Sequence, residues 1–359
     1  MTAVTAAAVP AAGHRRRTVV LTAMTVAVPV TFALAVTIGS TSIPLDRALP
    51  ALLRLAGADP SVMEIIWTVR LPRAITAALA GAALAAAGVQ MQTLFRNPLA
   101  EPYILGVSSG ASLGVALIVI GTGGVAGAFT VGAAGLGRAG TVAAAALGAA
   151  AVLCLVLFLS RRVRSVITLL VVGVMVGSAA TSIITLLLVY TDPRRAQQFI
   201  SWGLGSFAGT TWADLALFVP VCALALTAAL AGVKSLNALL LGENYARTMG
   251  VRVRLVRTLT LLISSVLAGT VTAYCGPIAF LGLAVPHVGR LALGTSDHRV
   301  LIPGVVLFGA STALLCCVAT QAPGSGVVLP LNAVTTIVGA PVVIGVLVRS
   351  RAAKTGLGV

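Results

Sequence analysis

The sequence predicts an all-α, polytopic membrane fold with about ten transmembrane helices, and three observations carry that prediction. The run Val300–Val348 contains no Asp, Glu, Lys or Arg, and similar charge-free runs recur along most of the chain, each cut by a short basic or Gly/Pro-rich break. The composition is 58% hydrophobic and 9% charged, with a mean hydropathy of +1.07, far outside the soluble range. The basic residues fall unequally on alternate breaks. A hydrocarbon core about 30 Å thick needs about 20 apolar residues per helix, because only a helix satisfies its own backbone polar groups where water is absent.

Division at the charges and turn residues places spans at 18–39, 74–95, 103–121, 140–160, 166–190, 213–233, 258–275, 277–293, 300–320 and 327–348. The first, Val19–Ile38, follows His14-Arg15-Arg16-Arg17 like a secretion signal. It is long enough to span and lacks a persuasive small-residue cleavage site, so it reads as a helix of the fold. The run Thr258–Gly289 is too long for one helix and too short for two with a long loop, so Cys275-Gly276-Pro277 reads as a hairpin. Pro323-Gly324-Ser325-Gly326 divides the last run in the same way. Residues 1–17 and 349–359 are expected as cytoplasmic tails around one transmembrane domain, 18–348.

A net charge of +16 would point to nucleic acid in a soluble protein, but here position decides. With the N-terminus inside, Arg15–Arg17, Arg96, Arg161, Arg162, Arg164, Lys234, Arg247, Arg252, Arg254, Arg257, Arg290, Arg299, Arg349, Arg351 and Lys354 fall on the cytoplasmic side. Only Arg47, Arg54, Arg70, Arg73, Arg138, Arg194 and Arg195 fall outside. That asymmetry is the positive-inside rule, with both termini cytoplasmic. No aromatic platform or basic helix supports nucleic-acid binding.

The five cysteines, Cys154, Cys222, Cys275, Cys316 and Cys317, lie in or at the ends of spans, with no CxxC and no His nearby. They read as small packing residues rather than disulfides or metal ligands. The eight acidic residues all sit in loops or at span ends. A proton-coupled secondary transporter usually carries an acid within the membrane, so a transporter built this way draws its energy from elsewhere. A lipid-processing enzyme would need Asp, His or Cys clustered at one depth, and none is seen. Small residues such as Gly81, Gly88, Gly173 and Gly177 let helices pack closely.

Three segments carry more than topology. Arg70-Leu-Pro-Arg73 precedes a span that leads into Arg96-Asn-Pro-Leu-Ala-Glu-Pro-Tyr-Ile-Leu-Gly-Val-Ser-Ser-Gly-Ala111, whose prolines and Gly/Ser run forbid one uninterrupted helix. The segment 236–251, LNALLLGENYARTMGV, is too polar to span and too apolar to be a solvated linker, which fits a short amphipathic helix docking on a partner. In Gly276-Pro-Ile-Ala-Phe-Leu-Gly-Leu-Ala-Val-Pro-His-Val-Gly-Arg290, Pro286-His287 breaks a short span near the cytoplasm, and His287 alone reads as a hydrogen-bonded structural residue.

Together with GTSDHR and the final VGAP at 338–341, these segments resemble the permease subunits of ATP-binding-cassette importers for iron–siderophore complexes, haem and vitamin B12. The resemblance runs from Trp67 to Val348 and implies a type II importer permease fold that dimerises around a central pathway. It implies two separate ATP-binding subunits holding ATP and Mg, an extracytoplasmic substrate-binding protein, a metal-chelate substrate and a bacterial cell membrane. This chain has no GxxxxGK[ST] and is expected to bind no cofactor or metal and to be no enzyme.

By the same resemblance, Gly242, Glu243, Ala246, Arg247, Met249 and Gly250 couple to the ATPase, and Arg70 and Arg73 grip acidic residues of the binding protein, although Arg at a span end also anchors in headgroups. Asn97 and Leu99 narrow the cytoplasmic end of the pathway. Ser178, Thr181, Ser182 and Thr185 line its wall, and Pro286, His287 and Arg290 lie near the ATPase interface. Thr191–Gly209 resembles a short outer helix at the pathway mouth. Two positions depart from the family pattern. Gln321 stands where Arg is usual, and Leu331-Asn332 replaces Val/Ile-Gly, with Asn332 facing either the pathway or the dimer partner. The motifs leave open homodimer or heterodimer, and which chelate; ferric siderophore is favoured only as the largest class.

Overall fold

The computed structural model describes residues 11–39, 43–55, 57–121, 136–162, 166–321 and 328–355. The turn predicted at Pro323–Gly326 and the cation Arg164 lie outside them. Among the described residues the chain forms only helices and their connections. The order is α1 (Ala11–Thr37), α2 (Leu45–Leu52), α3 (Pro60–Glu64), α4 (Leu71–Phe95), α5 (Val107–Gly121), α6 (Leu136–Arg162), α7 (Val166–Val189), α8 (Pro193–Gly203), α9 (Trp212–Ala231), α10 (Val233–Leu240), α11 (Glu243–Thr248), α12 (Val253–Cys275), α13 (Leu281–Leu293), α14 (His298–Thr320) and α15 (Leu331–Thr355).

Among the described residues, seven helical runs are long and apolar enough to cross a membrane: Gly13–Thr37, Pro60–Phe95, Ala139–Leu159, Ile167–Val189, Trp212–Ala231, Val253–Cys275 and His298–Thr320. Three shorter apolar helices, Val107–Val119, Leu281–Leu293 and Leu331–Gly345, stand where the third, eighth and tenth spans were expected. A π-helical turn, Ile65–Arg70, joins α3 to α4, so the second span begins well before its predicted start.

The axis of the bundle is α4. Its most apolar window is 83% buried, against 17% for α1 and 22% for α7, so α4 is enclosed by neighbours while α1 and α7 lie outside. The small side chains of Gly81–Gly88 make this possible, because without bulk between them backbones approach closely. A Cβ at Gly309 of α14 would stand 2.8 Å from that of Ala85, and one at Gly110 of α5 would lie 2.5 Å from the Gly148 carbonyl of α6.

The predicted hairpin at Cys275-Gly276-Pro277 is a longer break. α12 ends at Cys275, Gly276 takes a left-handed φ of 74°, and α13 begins at Leu281 rather than at Pro277. Proline removes a donor and the chain between the helices runs without an internal ladder, so side chains from elsewhere satisfy it. Asn332 Nδ2 donates to Pro277 O at 2.8 Å while its Oδ1 accepts from Ala279 N at 3.0 Å. Tyr103 Oη accepts from Ile278 N at 3.4 Å, and Glu101 Oε1 accepts from Phe280 N at 3.0 Å. Phe280 itself sits at φ 68°, a strained conformation for a bulky residue that these bonds hold in place.

Candidate functional site

The segment expected to dock on a partner forms two short helices, α10 and α11, joined at Gly242, whose φ of 119° suits only glycine. Gly250, at φ 79°, ends the segment in the same way. Ala246 is fully buried and seats α11 on the bundle. Glu243 accepts from Arg257 of α12 at 2.8 Å and from Arg247 at 3.3 Å, so it ties α11 to α12 rather than projecting outward. Of the six predicted coupling residues, Arg247, with 61% of its side chain exposed, and Met249 face away from the bundle. Leu240, Leu241 and Tyr245 share that exposure; the two leucines belong to the apolar stretch that marked the segment for docking, and only Tyr245 carried no expectation. The signal for them was available, since apolar residues flanking a glycine in a polar loop have no reason to be there unless a partner covers them.

The root of this segment is a buried polar junction. Asn237 of α10 donates through Nδ2 to Asp297 Oδ1 at 2.6 Å and accepts through Oδ1 from the His298 backbone at 2.9 Å. His298 Nδ1 lies 2.7 Å from the same oxygen, and its Nε2 lies 2.8 Å from Thr93 Oγ1, at the end of α4. Arg96 adds a second tie, donating to Leu239 O at 3.3 Å. Burial raises the Asp297 carboxyl, but the Arg299 N–H, the Asn237 amide and the charges of Arg299 and His298 outweigh it and hold the group below the usual aspartate range. In the sequence GTSDHR marks only the family resemblance; nothing local pairs Asp297 and His298 with Asn237 and Thr93, which lie about 60 and about 200 residues away.

Asn97 Oδ1 accepts from Leu99 N at 2.9 Å, closing the turn after α4 and leaving Leu99 exposed at its tip. Pro286, His287 and Arg290, expected near the ATPase interface, are packed inside the bundle. Pro286 and His287 are buried, the ring donating from Nε2 to Pro98 O at 2.9 Å, and half-buried Arg290 donates to Gln92 Oε1 at 2.6 Å. A polar group inside an apolar bundle has to find an internal partner, and these residues brace the Asn97–Leu99 turn from behind.

Ser178, Thr181, Ser182 and Thr185 are all exposed on α7. Three of them donate to the carbonyl one turn back: Thr181 to Gly177 at 3.0 Å, Ser182 to Ser178 at 3.0 Å and Thr185 to Thr181 at 2.9 Å. Their protons are satisfied within the helix, so they offer a passing ligand only weak acceptors. Ser178 and Thr181 line an open groove of about 420 Å³ between α7 and the Tyr103–Ser109 stretch, together with Gly106, Gly173 and Gly177. Ser182 and Thr185 lie outside it. The stretch Thr191–Gly209 contains α8, as expected of a short helix.

The expectation that Arg70 and Arg73 face outward is corrected. They are 3% and 6% exposed. Arg70 donates to Val36 O at 2.8 Å and Thr37 O at 2.6 Å, and Arg73 reaches Ala35 O at 3.5 Å. The last carbonyls of α1 have no intrahelical partners, and two guanidinium groups on the neighbouring rod supply them. Gln321 is buried as well, at the C-cap of α14. Asn332 faces neither the groove nor an open surface; it also bonds Gly203 O at 3.2 Å and so pins α15 to the end of α8. Cys154 is exposed and the other four cysteines are buried. Among the described residues, no group of three or more His, Cys, Asp or Glu is placed to hold a metal ion.

The chain thus combines an alanine-rich central helix, an interrupted helix at the groove and a surface segment rooted in the bundle. The model of the FecCD transport family matches residues 27–349, and the chain belongs to that family. It is 36% identical over 336 residues to the uncharacterized ABC transporter permease protein YvrB of Bacillus subtilis, covering 89% of this chain and 90% of that one. It is 35% identical over 287 residues to the vitamin B12 import system permease protein BtuC of Klebsiella pneumoniae, covering 80% and 83%. A solved transporter described as of the metal-chelate ABC type, in an inward-facing conformation, superposes with a TM-score of 0.79 at 29% identity, covering 92% of this chain and 98% of that one.

Proposed function

We propose that this chain is one of two permease subunits of an ATP-driven importer that moves a metal chelate, of the ferric siderophore, haem or cobalamin kind, into a bacterial cell. In this reading the seven long and three shorter apolar helices among the described residues serve as ten spans, and the charge asymmetry of the loops puts both termini in the cytoplasm. A binding protein delivers the cargo outside, and two separate ATP-binding subunits, holding ATP and Mg, drive alternating access from within. Each partner shifts the outward and inward states only by its differential affinity for them. The observation that carries the reading is the α10–α11 segment, which turns Leu241, Arg247 and Met249 away from the bundle while Ala246 and Glu243 root it.

The weak hydroxyl lining of α7 suits a large ligand that must not be retained on the way through. Replacing Glu243 and Arg247 together by Ala is expected to leave the protein inserted and to reduce ATP hydrolysis stimulated by the binding protein; unchanged stimulation would refute the assignment. A proton-coupled secondary transporter is the competing reading, and Glu101, the acid nearest the interrupted helices, is committed to the Phe280 N–H. Uptake that follows the proton gradient and ignores loss of the ATPase would restore it.

A further inference from the structure

Resting on the coupling reading above, we propose that His298 is a positioning residue: its imidazole joins Asn237 of α10 to Thr93 of α4 and passes displacement of the coupling segment to the turn Asn97–Leu99. The ring is 1% exposed and spans two elements distant in sequence. The proton positions follow from donors that cannot change. The His298 backbone N–H points at the Asn237 side chain at 2.9 Å, so the atom it meets is oxygen and the amide nitrogen faces Asp297. An oxygen 2.7 Å from Nδ1 requires the proton on Nδ1. Nε2 of the neutral ring then accepts from the Thr93 hydroxyl at 2.8 Å. That hydroxyl is equally close to Val89 O, whose second lone pair is free, so its one proton is shared between the helical carbonyl and the ring in a bifurcated bond.

Both ring nitrogens are paired, one with each neighbouring helix, and hydrogen bonds weaken steeply once stretched or bent. α10 therefore cannot slide against α4 without breaking bonds at both ring nitrogens, whereas the longer Arg96–Leu239 tie, made by a flexible side chain at 3.3 Å, leaves slack. Thr93 stands in the last turn of α4, directly before the loop whose Pro98 carbonyl is held by His287. A push on the exposed face of α11 thus has a stiff route to the turn that carries Leu99.

The test uses the full chain with its ATP-binding subunits in lipid nanodiscs, carrying Cys154→Ser and the reporter Leu99→Cys. Maleimide labelling of the reporter is timed without nucleotide and with ATP plus vanadate, and ATP hydrolysis is followed in the same sample. Thr93→Val keeps the shape and removes the hydroxyl, and the nucleotide-dependent change in labelling is expected to fall about fivefold. Thr93→Ser is expected to restore it, which a purely steric role for Thr93 would not require. If Thr93→Val responds as its parent does, the inference is overturned. A parent that neither hydrolyses ATP nor changes its labelling overturns the coupling reading instead. Should Thr93→Val fail to insert, His298→Phe breaks the same junction from the other side, with the same expected fall and the same overturning result.

Discussion

Asn332 uses both ends of one amide to hold three backbone groups, at Pro277, Ala279 and Gly203. Asn332→Leu keeps the size and removes every bond, so the interior retains unpaired polar groups. The expected loss is about 3 kcal/mol, read as a lower thermal midpoint in detergent; an unchanged midpoint would contradict the assigned role. Asp297 allows a pH test. Its folded value lies below the ordinary aspartate value of about 4, so its electrostatic contribution is fully present above that value. The contribution is lost as pH falls from about 4 through the lower folded value. Wild type is therefore expected to exceed Asp297→Ala in stability by a constant margin from pH 7 to about 5, with the margin narrowing below about 4. Since Asp297 also caps α14 through the Arg299 N–H, a residue of about 1 kcal/mol should persist at the acid end.

Between helices, two kinds of contact matter. The first is the small-residue crossing of α4 and α14, where no side chain separates Gly81 from Gly309. Gly309→Val must force these backbones apart, and overpacking of this kind costs about 1–3 kcal/mol, so the yield of monodisperse protein is expected to fall while Gly13→Val, in open space, has no such effect. The second is the clamp of Arg70 on the end of α1. Arg70→Ala is expected to destabilise the folded protein by about 2 kcal/mol, with Arg70→Lys recovering part of it, because one nitrogen, Nη1, makes both bonds and an ammonium has the protons to do the same. A variant that weakened binding-protein docking but left the thermal midpoint untouched would return Arg70 to the outward role its motif implied.

At the scale of the whole molecule, one end of the bundle is a connected polar assembly. Glu243, Arg257, Asn237, His298, Thr93, Gln92, Arg290 and His287 pair across six helices there, beneath an outer face carrying Leu241, Tyr245 and Met249. Rigid support under an exposed apolar face is the arrangement a docking surface requires. Leu241→Asp with Met249→Asp should abolish co-purification of the ATP-binding subunits while leaving the permease inserted, since burying a carboxylate at an interface centre weakens binding by at least about 30-fold. Retained co-purification would move the docking surface elsewhere on the chain.

The helical class, the order of the apolar runs and the position of the short surface helices at 236–251 are written in the sequence, because hydropathy and charge act locally and every span must meet the bilayer's demand by itself. The interrupted stretches at Asn97–Leu105 and Gly276–Phe280 are marked by their prolines and glycines for the same reason. Tertiary structure alone decided where the polar side chains point. Arg70 and Arg73 follow a motif expected to face outward, yet the unpaired carbonyls of α1 draw them in. Asn332, Glu101 and His298 acquire their partners from residues far away in the chain, and a hydrogen bond across that distance leaves no periodicity for a sequence to display.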